Sequence, residues 1–123
     1  MNCLRMKSSY LQQLDMPQAN QAQVWLCRLN GSADRVEEFS SLLSQEELER
    51  AGHFIVEQAK NRFSVSRGVL RSLLSGYLAR PASEIDIIVD LLGKPRVGGT
   101  TLKFNVAHSG EWLIAAFADV IEV

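Results

Sequence analysis

The chain has 123 residues, 46% hydrophobic and 22% charged, which suits one ordinary globular domain or half of a larger one. Its formal net charge of −1 excludes a general nucleic-acid binder, so any anion recognition must be local. The apolar run Trp112–Ala118 is too short to cross a bilayer, and residues 1–20 hold no secretory apolar stretch, so a cytoplasmic chain without a membrane partner is expected.

Residues 1–22 are polar and Gln/Asn-rich and read as a flexible lead-in. A strand is expected over 23–29, where Val24 and Leu26 alternate with Trp25 and Cys27. Cys3 and Cys27 lack metal-ligand spacing and read as free thiols. A short helix is predicted over 33–43, from Val36, Phe39, Leu42 and Leu43. Ser44 and Glu47 are spaced as a capping box, so a second helix starts at Gln45.

A long helix is predicted over about 56–79, its apolar arc formed by Ala59, Phe63, Leu70, Leu73, Leu74 and Tyr77, with Pro81 stopping it. Lys60, Arg67 and Arg71 form a basic stripe away from that arc, either a solvated face or, at Arg67 and Arg71, a phosphate flank. Arg62 projects to the edge of the arc near Val69 and Leu73, where a guanidinium needs an anion or carboxylate. Strands follow over 83–89, 101–106 and 111–123, with a glycine-punctuated loop at 93–99 and a His108-Ser109-Gly110 corner. Helices followed by strands imply an α+β fold, an antiparallel sheet packed against a long helix.

Lys94, between Gly93 and Pro95, sits on a rigid turn as a point charge suited to phosphate, or as a plain solvated lysine. His108 and Ser109 bring an imidazole, a hydroxyl and open N–H groups to a strand end. A serine-hydrolase reading fails, because adjacent side chains on a strand point to opposite faces. A decorated hairpin corner is the plainer alternative. His53 has no companion that suggests zinc and reads as structural or solvated. The acids of the second half form no Asp-x-Asp or Asp-x-Glu pair, so no metal ligand and no catalytic residue is assigned.

The blocks "NRFSVSRGVLRSLLSGYL", "GKP" and "LKFNVAHSGEW" together resemble the N-terminal half of surfactin-type 4′-phosphopantetheinyl transferases, over about residues 23–123. Ala107 stands where that family commonly has serine, leaving His108 and Ser109 in register. The resemblance implies one half of a pseudo-dimer of similar α+β halves with coenzyme A between them. It implies transfer of the phosphopantetheine arm to a serine of an acyl or peptidyl carrier protein, with Mg²⁺ as cofactor. The coenzyme A-binding residues it implies are Arg50, Arg62, Arg67, Lys94, Pro95, His108 and Ser109. The family's Gly-(Ile/Val)-Asp-(Ile/Val)-Glu and Trp-x-x-Lys-Glu-(Ala/Ser) motifs are not in the sequence, so a half-domain over 23–123, inactive alone, is expected. Alternatives are a non-catalytic coenzyme A- or nucleotide-binding half, or a dimerisation module. A homodimer is expected through the face that would meet the second half.

Overall fold

Period-two alternation builds the sheet of this computed structural model, which describes residues 15–18, 21–29 and 32–119. Strand β1 (Ala22–Arg28) pairs antiparallel with β5 (Trp112–Asp119), and β5 pairs antiparallel with β4 (Leu102–Ser109), giving the order β1–β5–β4. Cys27, Leu102, Leu113, Ala115 and Phe117 are buried on one face. Val24, Leu26 and Ile114 remain exposed on the other.

Helices α1 (Ala33–Ser40), α2 (Gln45–Gly52) and α3 (Glu57–Leu78) lie between β1 and the later strands in sequence, and α3 supplies most of the core facing the sheet. Val65, Val69, Leu73 and Leu74 of α3 are buried, each worth about 1.5–3 kcal/mol of transfer free energy. Tyr77 ties the far end of α3 to β1. It accepts from Trp25 Nε1 at 2.8 Å and donates to Gln23 Oε1 at 2.5 Å, while its ring stacks on Phe117. Gly68 is where α1 and α3 touch: a Cβ there would sit 2.5 Å from the Phe39 carbonyl oxygen.

The α+β class and the predicted helices stand, with corrections at their ends. Helix α3 stops at Leu78, before Pro81, because Ala79 turns left-handed (φ 55°) and donates its N–H to Ser75 O at 2.9 Å. The strand expected over 83–89 is mostly not one. Ala82–Glu84 is a 3₁₀ turn, and only β2 (Ile87–Val89) is extended, paired with β3 (Pro95–Val97) in a separate hairpin. β4 runs through His108 and Ser109, so the corner begins two residues later than expected. Gly110 and Glu111 form the turn, with Gly110 at φ 61°.

Of the expected lead-in, residues 1–14, 19 and 20 lie outside the described residues, as do residues 120–123 of the expected last strand. Met16 packs against the core. Cys27 is buried and disulfide-bonded, which corrects the free-thiol reading. Sequence spacing does not report the spatial proximity that a disulfide needs. No helix among the described residues is long and apolar enough to cross a membrane.

Candidate functional site

The site is organised by the predicted cap. Glu47 N–H donates to Ser44 Oγ at 3.2 Å and Ser44 N–H donates to Glu47 Oε1 at 3.0 Å. This folds the Glu47 carboxylate back over the start of α2, toward α3. There Oε1 also accepts from Arg71 Nε at 2.5 Å, and Oε2 lies 3.5 Å from Arg67 Nη1. Arg71 donates further from Nη1 to the carbonyls of Ala82 (2.8 Å) and Ile85 (2.7 Å). Its side chain is 2% exposed, so it is not part of a solvated stripe. It joins α2, α3 and the 3₁₀ turn.

Beside this buried tie the cations are freer. The guanidiniums of Arg50 and Arg67 lie 5.0 and 5.5 Å from the ring of Phe63. Arg67 is pulled below the usual arginine range, chiefly by burial. Glu47 opposes that shift, and the charges of Arg50 and Arg71 add to it. His108 shares the parity of Leu102, Phe104 and Val106 and so faces the helix side of the sheet. Its imidazole is pushed below the ordinary value, first by burial and then by the charge of Arg67. Arg50, Arg67 and His108 therefore form one electrostatically coupled edge, whose mutual repulsion an incoming anion would relieve.

That edge borders a groove of about 420 Å³ between α2, α3 and β2, lined by Ser44, Arg50, Arg67, Ile87 and Val89 among others. Glu46, Glu84 and Asp86 line it too, so its positive character is local to the arginines. Pro95 pairs with the lining residue Val89 in the β2–β3 hairpin, and Lys94 is exposed at the hairpin end. Asp90 sets that turn. Its Oδ1 accepts from the N–H groups of Leu92 and Lys94, both at 2.9 Å, and the Lys94 N–H foremost holds its carboxyl below the usual range.

Arg62 and Ser109 stand apart. Arg62 is half-buried on α3, does not line the groove, and has no carboxylate within ion-pair distance among the described residues. The expected anion or carboxylate partner is therefore not found for it among the described residues, and its half-exposed position leaves the guanidinium open to solvent. Ser109, opposite Trp112, is exposed on the face of β4 away from His108. Glu47 was missed as a site residue, and Arg71, weighed as a phosphate flank, is instead buried against it. The signal was present in the capping box, which fixes where the Glu47 carboxylate must be. Among the described residues no three His, Cys, Asp or Glu side chains cluster as metal ligands would.

A family model described as "4′-phosphopantetheinyl transferase, N-terminal" matches residues 29–119. The chain belongs to the 4′-phosphopantetheinyl transferase family. It is 29% identical to the 4′-phosphopantetheinyl transferase HetI of Nostoc, over 80% of this chain and 43% of that protein. It is 30% identical to the transferase Sfp of Bacillus subtilis, over 70% of this chain and 39% of Sfp. The chain thus spans about two-fifths of these transferases. Its fold is also that of a holo-(acyl-carrier-protein) synthase from Bacillus anthracis, solved in complex with coenzyme A (3′,5′-ADP). The TM-score is 0.53 at 16% identity, covering 78% of this chain and 91% of that one.

Proposed function

We propose that this chain is the coenzyme A-holding half of a 4′-phosphopantetheinyl transferase. In the complete reaction a carrier-protein serine oxygen attacks the phosphorus bearing the pantetheine arm. The bond from that phosphorus to the 3′,5′-ADP portion breaks, 3′,5′-ADP leaves, and the serine proton passes to a base. The share of this chain is to hold the ADP portion. Arg50, Arg67 and His108 neutralise its phosphates, and Lys94 adds a charge from the hairpin beside Pro95. The observation that carries this reading is the pair of arginines on Phe63 beside His108, a cationic edge under self-repulsion. The complex of the Bacillus anthracis synthase with coenzyme A supports it.

Arg62 and Ser109 serve, in this reading, only at the margin of the bound nucleotide. Mg²⁺ belongs to the complete enzyme. Among the described residues no three His, Cys, Asp or Glu side chains cluster, so no step here is routed through it. In this reading the chain alone is inactive. Incubating it with an apo carrier protein, coenzyme A and Mg²⁺ should leave the carrier's intact mass unchanged. A mass gain of one phosphopantetheine at catalytic turnover would overturn that conclusion.

A second reading has its own support. The outward face of the sheet exposes Val24, Leu26 and Ile114, and the Bacillus anthracis synthase is matched over 91% of its chain by one unit of this size. Two copies meeting through that face would make a self-complementary homodimer in place of a second half.

A further inference from the structure

We infer that Glu47 is a positioning residue: held by the α2 cap and by Arg71, its carboxylate aims the Arg67 guanidinium into the groove beside Arg50. This rests on the proposed anion-binding function of that groove and assigns to it a residue that touches no ligand.

The two arginines on Glu47 are held differently. Oε1 is committed to Ser44 N–H and to Arg71, whose contact is 2.5 Å and whose side chain is 2% exposed. Oε2 meets Arg67 at a looser 3.5 Å, and the Arg67 side chain is 17% exposed. Arg67 makes no other hydrogen bond within the chain among the described residues, so its remaining N–H groups are available to a ligand. Breaking the Glu47–Arg71 contact would open three elements, whereas turning Arg67 onto a phosphate disturbs nothing else. The cap supplies the rigidity this needs, since a carboxylate anchored through Oε1 by Ser44 N–H and Arg71 presents Oε2 to the Arg67 guanidinium from a fixed place and lowers the entropic cost of binding.

Charge makes the contact necessary. Without the carboxylate, Arg67 would lie between Arg50 and Arg71 and act on His108, with Glu46, Glu84 and Asp86 elsewhere on the groove wall as the remaining acids. Repulsion would then swing the long side chain out to solvent. Two opposite expectations follow for Glu47→Gln. If Glu47 acts only as a negative charge near an anion site, its loss tightens anion binding and lowers the His108 titration midpoint further. If it positions Arg67, its loss weakens binding, and His108, relieved of Arg67, titrates higher.

The test uses the full chain with 3′,5′-ADP as calorimetric probe and NMR titration of the His108 imidazole. Glutamine preserves the cap, because its amide oxygen still accepts from Ser44 N–H. Expected for Glu47→Gln are an affinity weakened about fivefold or more and an upward His108 midpoint. Glu47→Asp keeps the charge but draws both oxygens back by one methylene, which breaks the looser 3.5 Å contact to Arg67 first, and it should weaken binding similarly. It decides the matter if circular dichroism shows Glu47→Gln to be unfolded. Equal or tighter binding by either folded variant overturns the inference, as does a lowered His108 midpoint in Glu47→Gln. Wild-type protein that ignores 3′,5′-ADP would sink the anion-site reading instead, and the His108 midpoint would still judge Glu47.

Discussion

Arg71 Nε donates to Glu47 Oε1 at 2.5 Å, in a place where the arginine side chain is 2% exposed. The pair sits at the meeting of α2, α3 and the 3₁₀ turn, with the Ala82 and Ile85 carbonyls completing the arginine's partners. Arg71→Met keeps length and helix propensity but leaves those carbonyls and part of the Glu47 charge unpaired. A loss of about 3 kcal/mol is expected in denaturant unfolding, as for breaking one side of a buried pair. A loss under about 0.5 kcal/mol, the range of an ordinary surface change, would mean the contact is dispensable.

Gly68 permits the closest approach in the helical layer. Gly68→Ala should destabilise by about 2 kcal/mol, because the Phe39 backbone on α1 cannot withdraw as a flexible side chain could. Gly52→Ala is the control. Nothing lies within 4 Å of its Cβ position, so alanine there should be neutral or stabilise by up to about 1 kcal/mol. Equal effects at the two sites in thermal melts would refute the close-crossing explanation.

His108 makes anion binding depend on pH. Its folded-state midpoint lies below the ordinary 6.5 through burial and the charge of Arg67. A bound phosphate offsets Arg67 and raises that midpoint, so binding takes up a proton. Affinity for 3′,5′-ADP should therefore rise as pH falls through the bound midpoint toward the free one below 6.5, and His108→Gln should flatten the profile. The sign for folding is the reverse. Below the unfolded midpoint the unfolded chain protonates first, so His108 costs stability as pH falls through and below 6.5, and His108→Gln removes that part of the acid sensitivity. Calorimetry across pH and denaturant melts at two pH values check the two signs separately.

The exposed sheet face predicts an oligomer. If two copies meet across Val24, Leu26 and Ile114, Ile114→Lys should give monomers by light scattering while the fold persists, since Ile114 is 38% exposed and outside the core. A wild-type chain that is monomeric at high concentration would remove the homodimer reading.

Local chemistry was legible in the sequence. Ser44 and Glu47 fixed the start of α2 and, through it, one carboxylate of the site. The apolar arc gave α3, and alternation gave β1, β4 and β5. What sequence missed depended on contacts between distant elements. Arg71 lies on the polar side of α3 in a wheel projection, yet Glu47 and two carbonyls from beyond the helix bury it. Residues 83–89 have a strand's composition, but the partner strand is only the three residues Pro95–Val97, so only Ile87–Val89 are extended. Ala79 ends α3 in a conformation that glycine would adopt more readily, a choice no propensity scale anticipates. Arg50 was named by resemblance and Arg67 by both its helical stripe and the resemblance, and what the structure adds is the Phe63 ring they share and the groove beside it.

The most direct measurement is a calorimetric titration of 3′,5′-ADP into the wild-type chain and into the Arg50→Gln/Arg67→Gln double variant, at low and at raised salt. Expected is micromolar binding by the wild type that weakens as salt rises, and a loss of at least about tenfold in the double variant. A wild type that does not bind, or a double variant that binds equally well, would contradict the assignment of this cationic edge to the nucleotide of coenzyme A.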